Sequence, residues 1–214
     1  MSDIDYIVRD LQQRMANMIR RGRVHSVDFS LEPPRVRVEY EPNVQTDWLP
    51  FISGRASQEK TEWEPLAIGE QVIIFSEGGS LSCGIVVPAL HDSKNSVPSR
   101  SPDEHVTRYQ DGTTFTYSRK THTLSIDVQG DVNFHVTGNV TSYIEGNMSA
   151  QVDGTADITV EKATTVKTDA TLHVESAQDL SIKTSANMAL EASGNVDIKA
   201  GGNVKVTGSR VDLN

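Results

Sequence analysis

The sequence predicts an all-β protein: an OB-fold barrel followed by an intertwined triple-stranded β-helix (β-prism) of octad repeats, with a short N-terminal α-helix. Five short alternating segments separated by Pro- and Gly-containing turns predict the barrel, and an eight-residue repeat that runs from residue 122 without a gap predicts the prism. The expected domains are the helix (1–22), the barrel (23–91), a linker with a β-hairpin neck (92–121) and the octad region (122–214).

The first segment has the spacing of an amphipathic helix over residues 3–21. Its apolar residues recur at three- and four-residue steps: Ile4, Ile7, Leu11, Met15 and Met18. Gly22 follows the basic pair Arg20-Arg21, which is typical of a glycine just beyond a helix end. The apolar stripe can dock onto a partner or lie on the chain's own barrel, and the sequence favours neither.

The barrel is predicted from alternating strands and the turns between them. The five strand segments are RVHSVDF, PRVRVEY, TDWLPFI, GEQVIIF and LSCGIVV. We expect Trp48 and Trp63 to pack in the core or at the rim, because the basic strand faces of a nucleic-acid binder are not evident. A polar linker covers residues 92–104, and Asp111-Gly112 marks the turn of the following hairpin.

Each octad has one apolar face. Its third, fifth and seventh positions are mostly apolar or small and its fourth and sixth are polar, so alternate side chains share one side of a strand. One octad is too small to fold alone and too short for a full coil of a single-chain β-helix. We infer three identical chains around one axis, whose core is Val132, Val140, Ile144, Val152, Ile158, Val160, Val166, Leu172, Val174, Leu180, Ile182, Leu190, Val196, Ile198, Val204 and Val206.

Glycines mark the corners between octads. We expect them to adopt positive φ, which glycine tolerates without penalty; they are Gly130, Gly138, Gly146, Gly154, Gly194 and Gly202. The seventh position becomes small toward the C-terminus, at Ala192, Ala200 and Gly208, which predicts a narrowing prism. Its tip would contain Val211, Leu213 and Asn214.

Composition limits the classes of function. The 214 residues carry 29 acidic and 20 basic side chains, for a formal net charge of −9. Nucleic-acid binders need clustered basic surface, so no nucleic-acid partner is expected. The acidic N-terminal segment and the lack of a long apolar run predict no signal peptide and assembly in the cytoplasm. Cys83 cannot form a disulfide within the chain and is expected to be a small buried strand residue.

The sequence contains several distinctive motifs, which are MIRRGRV, TDWLPFISGRAS, TEWEPLAIGEQVIIFSEGG, RYQDGTTFTYS and the steps Val128-Gln129-Gly130, Val136-Thr137-Gly138, Ile144-Glu145-Gly146 and Val152-Asp153-Gly154. Together they resemble the phage baseplate assembly protein V family, the central spike of contractile tails, whose needle is similar to that of type VI secretion spikes. The resemblance implies a homotrimeric virion protein at the baseplate tip, assembled in the bacterial host, that pierces the target outer membrane when the sheath contracts. It also implies tail hub and baseplate partners, with the helix and barrel as the hub contact.

The sequence departs from this family in two respects. Many short spikes hold an apical iron with a His-x-His pair, but no histidine follows His173, so no metal or other cofactor is expected. The tip then closes by itself, receives a separate tip-capping protein, or lies beyond a sequence cut short. Larger relatives insert a lysozyme domain, for which the linker is too short, so no enzymatic activity is expected. The alternative, a tail-spike polysaccharide-degrading enzyme on a β-helix, is disfavoured by the short period and the 6% aromatic content.

Overall fold

The computed structural model describes residues 3–88 and 90–212. Its one helix among these residues is α1, Asp3–Asn17, and its strands are β1 (Ile19–Asp28), β2 (Arg35–Glu41), β3 (Val44–Gln45), β4 (Gln71–Ser76), β5 (Gly84–Val87), β6 (Glu104–Arg108), β7 (Thr114–Ser118) and β8 (Thr123–Asp127). The chain divides into two units, Met1–Thr141 and Ser142–Asn214. All eight strands belong to the first unit.

Strands β1–β5 form an antiparallel sheet in the order β3-β2-β1-β4-β5. The segment 49–51 connects its two sides. Leu49 exchanges backbone hydrogen bonds of 2.8 and 2.9 Å with Val36 of β2, while Val86 of β5 donates to the carbonyl of Pro50 at 2.9 Å. The sheet therefore closes into a small barrel. The predicted strand TDWLPFI is wrong as a regular strand, because this segment makes only isolated bridges to β2 and β5.

The barrel has its own hydrophobic core. Alternate residues of β2 and β4 point inward, as period-two patterning requires. The buried apolar side chains are Val24, Val36, Val38, Leu49, Leu66, Val72, Ile74 and Val86. Fully burying one such side chain contributes about 1.5–3 kcal/mol, so this cluster is what stabilises the first half of the chain.

The helix ends earlier than the sequence predicted. It stops at Asn17, and Arg20, Arg21 and Gly22 lie within β1. The prediction that Gly22 ends the helix is therefore wrong. A Cβ on Gly22 would lie 2.7 Å from the carbonyl oxygen of Glu39, so glycine is needed here because β1 and β2 approach closely.

The neck is a three-stranded antiparallel sheet in the order β6-β7-β8. Its first hairpin turns at Asp111-Gly112, as predicted, with Gly112 at φ +96°. The first octad, residues 122–129, was expected to begin the prism. Instead its residues 123–127 form β8, which pairs with β7 from Thr114 opposite Asp127 to Ser118 opposite Thr123.

Asp92 ties the linker to the barrel. Its Oδ1 accepts the backbone N–H groups of Lys94 at 2.8 Å and Asn95 at 2.7 Å. Its Oδ2 lies 2.6 Å from Nη1 of Arg23 in an ion pair, and the same Nη1 donates to the carbonyl of Gly69 at 2.9 Å. The Asn95 hydrogen bond first, and then Arg23, hold the pKa of Asp92 below its ordinary value of 3.8.

This lowered pKa sets a pH window for the linker turn. A folded-state pKa below the unfolded one means that the Asp92 carboxylate stabilises the turn above about pH 4, and that the contribution is lost as pH falls through the folded pKa. We expect protection of the Asn95 amide from hydrogen exchange to fall in that acidic range. Asp92→Ala should remove the protection at neutral pH, whereas Asp47→Asn should not. Protection of the Asn95 amide that stays the same both at acidic pH and in Asp92→Ala would contradict this role.

Candidate functional site

The described residues offer little for catalysis. They contain no group of three or more His, Cys, Asp or Glu side chains that could hold a metal ion. The carboxyls with shifted pKa values are Asp28 and Asp92, and both are lowered, Asp28 chiefly by the Ser30 hydroxyl that donates to it at 2.6 Å. A carboxylic acid that donates a proton near neutral pH needs a raised pKa, so neither group suits that role.

Among the described residues, no helix combines the length and the apolar character that a bilayer crossing requires. The surfaces that stand out are apolar and exposed. They lie on the octad region, on the neck and on α1. In each of these segments, the regular spacing of apolar residues places them on one side.

The octad region bends with the period of its repeat. Bends recur every eight residues, at 129–130, 137–138, 145–146, 153–154, 161–162, 169–170, 177–178, 185–186, 193–194 and 201–202. Between bends, residues 130–212 form no β-bridge and no backbone hydrogen bond to another described segment. Backbone N–H and C=O groups require partners in a folded protein, and these segments do not find them in the described part of their own chain.

Every residue of the predicted core is exposed in the single chain. Exposed fractions run from 48% for Ile144 to 88% for Ile158, and Val174 stands at 65%. Monomeric proteins rarely expose continuous apolar surface on this scale. Of the predicted tip, Val211 is 49% exposed, whereas Leu213 and Asn214 lie outside the described residues.

The corner glycines lie at the bends where the sequence placed them, but the expected reason for glycine does not apply. Each of the six is the second residue of a bend, yet the described glycines with positive φ are Gly69, Gly78, Gly79 and Gly112. The expected positive φ at the corners is therefore wrong. A Cβ at any of the six would meet nothing within 4 Å, and Lys162, Ala170, Gln178 and Ala186 occupy equivalent bends. Neither conformation nor space within the chain requires glycine there.

A polar anchor connects the neck hairpin to the first bend. The backbone N–H of Thr113 donates to Oδ1 of Asp111 at 2.9 Å, and the Thr113 hydroxyl donates to Oδ2 at 3.0 Å. The N–H of Gln129 then donates to the Thr113 hydroxyl at 3.2 Å. Thr113 is only 9% exposed, so the position of the first bend is set by a buried hydroxyl.

We expect Thr113→Val to weaken this anchor. The change keeps the shape of the side chain but removes one donor and one acceptor, at a cost of about 1 kcal/mol. Hydrogen exchange at the Gln129 amide should become about fivefold faster, while Thr116→Val in the adjoining strand β7 should leave it unchanged. An unaltered exchange rate at Gln129 in Thr113→Val would show that the hydroxyl does not hold the bend.

Helix α1 presents its apolar stripe to solvent. None of its described residues is buried, and it approaches the barrel where the backbone of Arg14 contacts Gly79. Beyond its end, the N–H of Ser76 donates to the carbonyl of Met18 at 2.9 Å. The exposed fractions of the stripe are 70% for Ile4, 53% for Ile7, 53% for Leu11, 72% for Met15 and 48% for Met18. In this chain, therefore, the barrel does not cover the stripe.

The barrel rim carries the two tryptophans. Trp48 is half-buried beneath the guanidinium of Arg37, whose carbon lies 4.9 Å from the ring centre. Trp63 is 57% exposed and meets Phe29 edge-on, with ring centres 5.4 Å apart. Both contacts are packing contacts at the rim.

Cys83 was expected to be buried in a strand, but it is exposed in a short 3-10 turn because β5 begins one residue later.

Comparison with known proteins finds similarity over the barrel and to a phage protein. Residues 20–91 match the family described as the type VI secretion system/phage-baseplate injector OB domain, so this part of the chain is similar to an injector OB domain. The resemblance to the baseplate assembly protein V family is thereby confirmed. The "Spike protein" of Escherichia phage P2 is 34% identical over 119 residues, which cover 56% of this chain and 54% of the relative. The chain thus spans about half the length of the curated relative that it matches.

Proposed function

We propose that the protein is the structural central spike of a contractile tail baseplate, a homotrimeric needle that pierces the target cell outer membrane on sheath contraction. The observation that carries the proposal is the octad region: bends every eight residues, apolar columns exposed in the single chain, and no backbone partner between its segments. The injector OB domain and the similarity to a phage spike protein support the same role.

Three chains satisfy both requirements of the octads. A closed triangular section buries the third, fifth and seventh positions, and each strand receives backbone hydrogen bonds from the strands of the other two chains. With levels spaced at about 4.8 Å, some ten octads make a prism on the order of 50 Å long. A narrow ladder of this kind is stiff, and stiffness is what a piercing element needs.

The role is mechanical rather than enzymatic, and the protein would act at the tail tip of a virion or similar particle after assembly in the host cytoplasm. It would contact the target membrane only transiently. No cofactor is proposed, since no His-x-His pair follows His173 to hold an apical iron. Val211, Leu213 and Asn214 would form the tip, which closes on itself or receives a separate tip-capping protein.

The proposed trimer predicts a specific molar mass, and it predicts that a charge in the core prevents assembly. Light scattering of the full chain should give three times the 23.4 kDa of one chain. Val174→Asp would place three carboxylates inside the prism, at several kcal/mol each, and should abolish assembly. His173→Asp, one residue away on the polar face, should assemble normally. A monomeric wild type, or a Val174→Asp trimer as resistant to guanidinium as the wild type, would overturn the needle.

Helix α1 is the proposed hub contact. Its apolar stripe is exposed while its polar flank, with Arg14 paired to Asp10 at 2.8 Å, includes the residue that contacts the barrel. An amphipathic helix of this kind fits a hydrophobic groove on a partner. The tail hub protein, and through it the rest of the baseplate, is the partner that we propose.

We expect Leu11→Glu to weaken binding to purified tail hub protein at least about tenfold, because a charge replaces a side chain whose burial contributes about 1.5–3 kcal/mol. The oligomeric mass should not change. Gln12→Glu, one residue along and about 100° around the helix from Leu11, lies outside the apolar stripe; it is the matched control and should bind as the wild type does. Equal affinities of the three proteins in a titration would place the hub contact elsewhere.

A further inference from the structure

The polar face of the octad region carries a column of alternating charge. Five consecutive octads have a charged residue at the sixth position, and its sign changes at every step. These residues are Lys167, Glu175, Lys183, Glu191 and Lys199, which we call the charge column. In the octads directly before and after them, the sixth position is neutral, at Thr159 and Thr207.

Contacts within the single chain do not account for the charge column, whose side chains are all exposed. Lys167 lies 3.9 Å from a carboxylate oxygen of Asp169, and His173 lies 3.3 Å from a carboxylate oxygen of Glu175. Both pairs are open to solvent, where an isolated ion pair contributes little. Among the described residues, the other three members, at positions 183, 191 and 199, form no ion pair.

In the proposed trimer, consecutive octads of different chains lie next to one another. A threefold axis places the same octad of all three chains at one height, on three different sides of the prism. Each bend takes a chain to the next side and one strand spacing further along. The neighbour of octad 170–177 on its side is therefore octad 178–185 of another chain, at about 4.8 Å, with equivalent positions facing each other.

We propose that the charge column is a self-complementary docking surface, whose occupant is the charge column of the next copy of this chain. This inference rests on the proposed trimer. On each side of the prism, Lys183 of one copy lies between Glu175 and Glu191 of the other two. The resulting ladder alternates in sign along its whole length, and opposite charges that face each other across strands stabilise a sheet.

The charge column supplies an alignment that the apolar columns do not. Because the apolar positions recur every eight residues, a chain displaced by one octad would bury nearly the same side chains. The same displacement would bring Lys against Lys and Glu against Glu, which is unfavourable. The alternation therefore selects one alignment of the three chains and opposes the nearest wrong one.

The charge column also coincides with the least apolar part of the predicted core. The seventh position is Val or Ile in the four octads from 130 to 161, but in the next three it is Thr168, Ser176 and Thr184. These smaller, polar side chains gain less from burial than Val or Ile. Charges that form a network contribute more than isolated surface pairs, so the ladder stabilises the prism where its core is weakest.

Charge reversal in the full chain tests the proposal, with urea as the denaturant because it does not screen charge. Lys183→Glu places three glutamates in succession on each side, and its trimer should dissociate at least about tenfold faster than the wild-type trimer. A second variant reverses the whole column: Lys167→Glu, Glu175→Lys, Lys183→Glu, Glu191→Lys and Lys199→Glu. It restores the alternation and should dissociate within about threefold of the wild-type rate. The two variants have the same formal charge, so net charge cannot explain a difference between them.

Salt provides a second readout, and Lys183→Gln covers the case in which Lys183→Glu fails to assemble. Adding sodium chloride to about 1 M should speed dissociation of the wild type, because it screens attraction, and slow that of Lys183→Glu, because it screens repulsion. Lys183→Gln should dissociate faster than the wild type and respond less to salt. Lys162→Gln is the matched control, since Gly154 and Ala170 precede and follow it at the same octad position, and it should behave as the wild type.

The possible results separate this inference from the proposed trimer. A wild type of three-chain mass whose dissociation rate equals that of Lys183→Glu would overturn the charge column and leave the trimer intact. A whole-column variant as unstable as Lys183→Glu, or a Lys162→Gln variant as unstable as Lys183→Gln, would also overturn it. A wild type of single-chain mass would overturn both.

Discussion

A bend every eight residues is the constraint on which the second half of the molecule depends. Between the bends, the described segments form no β-bridge with one another and their apolar columns are exposed. Peptide groups and apolar side chains must both find partners, and the proposed association with other copies would supply them. Under that proposal, folding and assembly of the octad region are one process.

In the first half of the chain, backbone groups find hydrogen-bond partners and apolar side chains are buried within the chain itself. The barrel buries a compact set of Val, Leu and Ile side chains and closes its edges through the 49–51 segment. The neck lies between these two regimes: its backbone is paired within the chain, but its apolar face is not covered. The Thr113 anchor lies where pairing within the chain ends. The proposed spike would use this division, because a folded head can be held by neighbouring proteins while the octad region projects.

The errors made from sequence share one cause, which is that local patterns do not report what lies across the chain. Gly22 follows two arginines as a helix-ending glycine would, yet the close approach of Val38 and Glu39 explains it. Residues 122–129 satisfy the octad pattern, yet most of them pair with β7. Cys83 belongs to an alternating run, but the strand begins only at Gly84. In each case the neighbour that decides the structure is distant in sequence.

Periodicity was sufficient to identify barrel strands β1, β2, β4 and β5, the hairpin at Asp111-Gly112, the amphipathic helix and the eight-residue spacing of the corners. All of these depend on patterns along one stretch of chain. Tertiary structure was required to show that the barrel closes through an irregular segment, that the corners need no positive φ, and that the α1 stripe faces away from the barrel. These features depend on whether segments distant in sequence contact one another. A local sequence pattern does not encode such contacts.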